Sequence, residues 1–391
     1  MLQQVLLAAA LAVLSGTGEH AAGGEHAAAG GEHAGGLVPF SYSLHRQSSY
    51  AQPVRFFLLE SGALEGRSLA LEQRFREGGA GLGSAAWDGS FVLGELLQRV
   101  DFVHGVRAAL DEFVAALAAQ PQVGTAAGER PWLRLAGPRL WLPSLRVERT
   151  ARRLARARRR QAEQRLSRAG AVDDIVAAPA HTTPQPWRGL STVELGTGLG
   201  LVSLVTCLLG ATSVATDGDA VVLQHARLNF ARNLNTTNSS AAGSSAAGSP
   251  AMDWMSCGDS DASAGKVATA TLLWGDRERA TAIRSEQTGG PAPDFVLAAD
   301  VVYGHDRDGD RTATFDALLS SLLDLCGPDT IVLLAYKPRR PTEKLFFDRL
   351  WERFVGGALQ HDLLHHDFHH SDMQVYTLRL RASSSVEAEK I

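Results

Sequence analysis

Glu194, Gly196, Gly198, Gly200, Asp217, Trp274 and the run Asp300 to Tyr303 are the residues of this chain whose types and spacing point to chemistry. Glu194 lies at the end of a short apolar run and is followed by a turn with glycine at 196, 198 and 200. Glycines let backbone N–H groups come close to a ligand. An acid immediately before such a turn suits a cationic ligand better than a pyrophosphate. Asp217 ends a second apolar run, where a carboxylate can accept hydrogen bonds from ribose hydroxyls. Trp274-Gly275-Asp276 and Asp300-Val-Val-Tyr303 add aromatic and acidic groups after two further runs.

These groups need a scaffold, and the hydrophobic pattern supplies one. Thr192 to Leu195 predicts a strand, Leu201 to Leu209 a helix stopped by Gly210, Thr212 to Thr216 a strand, and Ala220 to Asn233 a helix. Strands follow at Lys266 to Trp274, Asp294 to Asp300, Thr330 to Tyr336 and Val375 to Leu380. Helices are predicted at Thr314 to Leu325 and Glu343 to Phe354, the latter closed by Gly356-Gly357. Alternating strands and helices predict a parallel sheet with helices on both faces. Ligands of such sheets sit beyond the carboxyl ends of the strands. Four separate strand ends therefore bring the residues above to one place.

The remainder is less patterned. Val5 to Leu14 is an apolar run of signal-peptide length with no basic residue before it, so a secretory signal and an uncharged N-terminal helix both remain open. Residues 1–39 are otherwise low in complexity, with His20, His26 and His33 in a Gly/Ala repeat, and disorder is expected. Residues 40–97 read as an accessory element: one or two strands, then Trp87-Asp88-Gly89 before an apolar helix that Asp88 caps or begins. Residues 98–189 read as an insertion, with an amphipathic helix from Asp101 to Ala119 and a basic helix from Arg146 to Arg168. That basic helix is either a solvated face or a docking arm for RNA or an acidic protein surface. A domain over 190–382 follows, interrupted by a Ser/Ala/Gly-rich loop at 236–265, and 383–391 is a tail.

The net charge of −4 makes no global case for DNA, membrane or other polyanion binding. Cys207, Cys257 and Cys326 include no Cys-x-x-Cys pair, so neither a disulfide framework nor a zinc site is expected, and a reducing, cytoplasmic home is the default. His361, His365, His366, His369 and His370 are read as a polar hairpin between the last two strands; no metal site is expected. A dinucleotide fingerprint asks for Gly-x-Gly-x-x-Gly, and here Leu201 occupies the third glycine's place.

Glu194-Leu-Gly-Thr-Gly-Leu-Gly-Leu-Val-Ser-Leu204 resembles the glycine motif of class I, seven-β-strand methyltransferases, and more narrowly the family 16 group of protein-lysine methyltransferases. Thr216 to Asp219, Leu273-Trp274-Gly275, Asp300-Val-Val-Tyr303 and Trp87-Asp88-Gly89 resemble four further elements of that group. Position 203 is Ser where the group has Gly. The resemblance implies a Rossmann-like, seven-stranded, mostly parallel α/β fold with an N-terminal accessory segment and surface insertions. It also implies S-adenosyl-L-methionine as cofactor and a protein substrate, such as a translation factor or chaperone. It implies that Glu194, Gly196 and Gly198 hold the methionine end, that Asp217 accepts from the ribose, that Trp274 packs on adenine and that Trp87 closes the pocket. Asp300 and Tyr303 would line the channel where the amine meets the methyl group, with Asp300 also against the cofactor. An RNA or small-molecule methyltransferase and a non-catalytic scaffold are the alternatives on the same fold.

Overall fold

The computed structural model describes residues 54–59, 64, 67–73, 83, 85–99, 101–118, 185–234, 252–257, 265–288, 290–303, 312–369 and 371–381. The apolar run Val5 to Leu14, the histidine repeat, the Arg146 to Arg168 segment expected to be a basic helix and the C-terminal tail lie outside them.

The described residues begin with an antiparallel hairpin, β1 (Val54–Leu58) and β2 (Ser68–Glu72), followed by helices α1 (Asp88–Leu97) and α2 (Phe102–Ala118). Asp88 begins α1, and Trp87 holds the cap position. The core then alternates: β3 (Ser191–Leu195), α3 (Leu201–Leu208), β4 (Thr212–Asp217), α4 (Ala220–Asn233), β5 (Met255–Ser256), β6 (Lys266–Thr271), α5 (Arg277–Thr288), β7 (Phe295–Ala299), α6 (Thr312–Leu325) and β8 (Ile331–Tyr336). Helix α7 (Lys344–Arg353) and strands β9 (Phe354–Ala358) and β10 (Gln374–Leu380) complete it.

One sheet runs in the order β5-β6-β4-β3-β7-β8-β10-β9. The central strands β6, β4, β3, β7 and β8 are parallel, and β10 inserts antiparallel between β8 and β9. The fold is Rossmann-like α/β, and the reversal of strand order on either side of β3 puts the switch point beside the glycine turn. The sheet has eight strands where seven are expected, because two residues of the 236–265 segment, Met255 and Ser256, pair with the edge of β6.

Period-two alternation sorts the strands' side chains between two cores. Phe295, Leu297, Ile331 and Leu333 face α1 and α3, whereas Val296, Ala298, Val332 and Leu334 face α5, α6 and α7. Helix α3 is buried on every side because the α1 layer covers the face turned away from the sheet. The N-terminal hairpin is bound to α4 through backbone mimicry. Asn233 accepts from the Ala70 N–H and donates to the Ala70 carbonyl, both at 2.8 Å, and Asn229 accepts from the Glu72 N–H at 2.8 Å. The two asparagines, one helical turn apart, satisfy an open strand edge. Trp187, fully buried, donates from Nε1 to the Leu97 carbonyl at 2.8 Å and ties α1 to the sheet.

Three expectations need correction. Cys207 and Cys257 form a disulfide, with Cα atoms 5.7 Å apart; pairing of β5 with β6 brings together cysteines that no local spacing could match. Helix α5 has no counterpart in the sequence reading, because only Ala280 and Ile283 mark its buried side. Gly356-Gly357 do not close a helix but lie within β9, where a Cβ on Gly356 would fall 1.9 Å from the Thr377 carbonyl oxygen. The histidine-rich connector does join the last two strands as a hairpin, through two short 3-10 turns, His361–Leu363 and His366–Phe368, between the antiparallel β9 and β10.

Candidate active site

The turn after β3 is built to expose backbone. Gly196, Gly198 and Gly200 all have left-handed φ, at +66°, +53° and +86°. A Cβ on Gly196 would meet Val301 Cγ1 at 2.8 Å, and one on Gly200 would meet Phe230 at 2.5 Å. Side chains are thus excluded twice over, by conformation and by space. The turn is pinned to the end of β4: the Thr197 N–H donates to the Thr216 carbonyl at 2.8 Å, and the Gly198 N–H donates to Asp217 Oδ2 at 3.3 Å. Asp217 Oδ1 accepts from the Asp219 N–H at 3.1 Å. Burial raises the Asp217 carboxyl above the usual range, partly offset by these bonds.

Glu194 lies beneath the turn, 1% exposed. Its Oε2 accepts three hydrogen bonds: from Thr197 Oγ1 at 2.7 Å, from the Ser203 N–H at 3.0 Å and from Ser203 Oγ at 2.5 Å. Burial pushes its carboxyl up to about 7 against the pull of those donors. This is a carboxylate held ready for a cation and reluctant to ionise without one. Gly196, Gly198, Leu199 and Leu201 line a cleft above it, with Ala85, Ala86, Trp87 and Ser90 of the α1 approach as the facing wall. The cleft encloses about 310 Å³, its open mouth included.

Trp87, Glu194, Gly196 and Gly198 therefore share the cleft, and Asp217 reaches it through Gly198. Trp274 and Tyr303 form a separate rim. Their rings are 5.6 Å apart, and Trp274 Cζ2 comes within 3.7 Å of where a Gly196 Cβ would stand. Burial, and then the charge of Asp217, raise the Tyr303 hydroxyl. Asp300 does not line the cleft. Its side chain is 2% exposed, Oδ2 accepts from the Gly89 N–H at 2.5 Å, and Oδ1 pairs with the Arg339 guanidinium. Burial raises its carboxyl, and Arg339 is the largest opposing influence.

Three partners are not evident from sequence: the Ser203 hydroxyl and Thr197 on Glu194, and Arg339 on Asp300. Ser203 was visible as a departure from the group's glycine. Arg339 stood within the basic run Lys337 to Arg340 that follows β8.

Residues 258–353 match a family model described as lysine methyltransferase. That segment is similar to the family 16 group of lysine methyltransferases. The chain is 30% identical over 175 residues to the protein N-lysine methyltransferase METTL21A of Mus musculus, covering 45% of this chain and 62% of that protein. It is 28% identical over 175 residues to the EEF1A lysine methyltransferase 3 of Xenopus tropicalis, covering 44% of this chain and 58% of that one. The chain thus spans about three fifths of the curated relatives it matches. Among solved structures, a crystal structure of human methyltransferase-like protein 13 in complex with SAH covers 51% of this chain and 78% of its own, at 11% identity and a TM-score of 0.30. Among the described residues, no helix is long and apolar enough to cross a membrane, and no group of three or more potential metal ligands occurs.

Proposed function

We propose that this chain is an S-adenosyl-L-methionine-dependent methyltransferase acting on a lysine side chain of a protein. The observation that carries the reading is the cleft itself: a buried carboxylate, bare glycine backbone, an indole wall and a strand-end carboxylate converge at the sheet's switch point. Those groups suit a ligand that joins a cationic amino acid to a nucleoside. Glu194 would meet the cationic end, Gly196 and Gly198 would let it approach, Asp217 would accept from the ribose, and Trp87 would close over it. Trp274, whose Cζ2 lies beside Gly196, would pack on the base.

The cofactor supplies an electrophilic methyl group on a sulfonium. The chain's own residues have to bind, orient and exclude water, because in-line transfer needs a neutral amine lone pair aimed at that carbon. The Tyr303 side of the rim is where we place the arriving amine. Tyr303, with its hydroxyl held protonated, can orient an amine as a hydrogen-bond donor or acceptor. Asp300 is already engaged by Gly89 and Arg339 and lies behind this surface.

The likeness to the curated lysine methyltransferases supports a protein substrate, and the relative named for EEF1A keeps a translation factor among the candidates. A cytoplasmic setting belongs to the same proposal and would keep the Cys207 and Cys257 pair reduced. Incubating the protein with methyl-labelled cofactor and a cell lysate tests it. The expected result is label in protein that survives RNase. Label that RNase removes would instead favour an RNA substrate reached through the Arg146 to Arg168 segment.

A further inference from the structure

Asp300 is the only described non-glycine residue with a left-handed backbone, at φ +57°, and the side chain it carries there serves neither the cleft nor solvent. It bridges two loops. On one side is the Gly89 N–H at the start of α1; on the other is Arg339 in the loop after β8. A second ion pair, Asp88 with Lys337 at 3.6 Å, joins the same two loops. Gly89 leaves no space between them, since a Cβ there would meet Asp300 Oδ2 at 2.6 Å and the Asp300 nitrogen at 3.2 Å.

The loop carrying Arg339 is itself fixed. Glu343, 2% exposed, accepts from the Arg339 N–H at 2.9 Å, the Arg340 N–H at 3.2 Å and the Tyr336 hydroxyl at 2.6 Å. Trp87, immediately before Asp88, supplies the cleft's facing wall, and the Arg339 guanidinium lies 5.9 Å from its ring. The Ser90 hydroxyl holds the Trp87 carbonyl at 2.7 Å, so the wall and the first turn of α1 move together.

We propose that Asp300 and Arg339 are positioning residues that latch the Trp87 wall over the cofactor cleft. Their effect falls on how tightly the cofactor is held, not on the amine. This inference rests on the cofactor reading given above. A carboxylate at the start of α1 also faces the positive end of that helix, which strengthens its hold on the Gly89 N–H. The left-handed backbone at 300 is what turns the side chain back toward α1, away from the cleft.

Titration calorimetry with S-adenosylhomocysteine, on the full chain, reads the latch directly. The wild type is expected to bind, and Arg339→Ala is expected to weaken binding about tenfold, the scale of losing one charge-assisted hydrogen bond. Arg339→Lys should recover part of the affinity, and Asp300→Asn, which keeps an acceptor for Gly89, should fall between. Label transfer to lysate protein should drop in Arg339→Ala at low cofactor and recover at saturation. Arg339 is one-third exposed, so its replacement leaves the core intact, and an unchanged thermal midpoint checks this. If the wild type fails to bind S-adenosylhomocysteine, the cofactor reading itself falls. If the wild type binds and Arg339→Ala binds equally well, the latch falls alone. Loss of transfer at saturating cofactor with unchanged affinity would also overturn it, by placing Asp300 at the amine.

Discussion

Replacing Glu194 by glutamine should make the cofactor-free protein more stable and its ligand binding weaker. The carboxyl is displaced from its ordinary 4.5 to about 7 because burial penalises its charge more than Thr197 and Ser203 reward it. That displacement corresponds to about 3 kcal/mol. The native state holds this proton more tightly than the unfolded chain does. Its contribution to stability is therefore complete below about 4.5 and is lost as the pH rises through about 7. At pH 8 the wild type bears the full cost of a buried carboxylate. Glu194→Gln does not, and its amide oxygen can still accept from Ser203, so urea unfolding at pH 8 should show a gain of up to about 3 kcal/mol.

Binding runs the other way. A cationic ligand needs the carboxylate, and with a value near 7 the ionised fraction falls about tenfold between pH 8 and pH 6. Calorimetry with S-adenosylmethionine should show that loss in the wild type, with proton release in buffers of different ionisation enthalpy. The ligand's own amino group titrates in both proteins and cancels in the comparison. Glu194→Gln should bind more weakly at pH 8 and lose the extra pH dependence. Equal stability at pH 8, together with the same pH slope in both proteins, would refute the reasoning.

Ser203→Ala removes one donor from Glu194 while leaving the backbone N–H. Its carboxyl should rise further, shifting the binding profile toward alkaline pH and weakening S-adenosylmethionine about tenfold near neutrality, as calorimetry across pH would show. Asn233→Ala strips the Ala70 N–H and carbonyl of their buried partner, and should cost about 2–4 kcal/mol in urea unfolding. The loss should appear with little change in cofactor affinity, since Asn233 touches the hairpin and not the glycine turn.

The strand and helix order from β3 to β8 was legible because buried parallel strands and their covering helices leave near-continuous apolar runs. Gly196, Gly198, Asp217 and Glu194 were legible because a strand-to-helix turn has a local spacing. What escaped depends on contacts across the fold. Helix α5 buries only a narrow strip, so its apolar period is faint. Cys257 meets Cys207 only after β5 pairs with β6, and Asn229 and Asn233 look like ordinary helix residues until β2 is laid beside them. Asp300 was found, but not its engagement. Its motif marks a strand end, and only the packed loops disclose Arg339 and Gly89 as partners.

The account turns on where the methyl group goes. Mass spectrometry of lysate protein after incubation with isotopically labelled cofactor, with the wild type and with Asp217→Ala, measures this most directly. The account predicts label on a lysine Nζ in the wild-type reaction and its loss with Asp217→Ala. Label on another atom, on nucleic acid alone, or to the same extent with both proteins would contradict it.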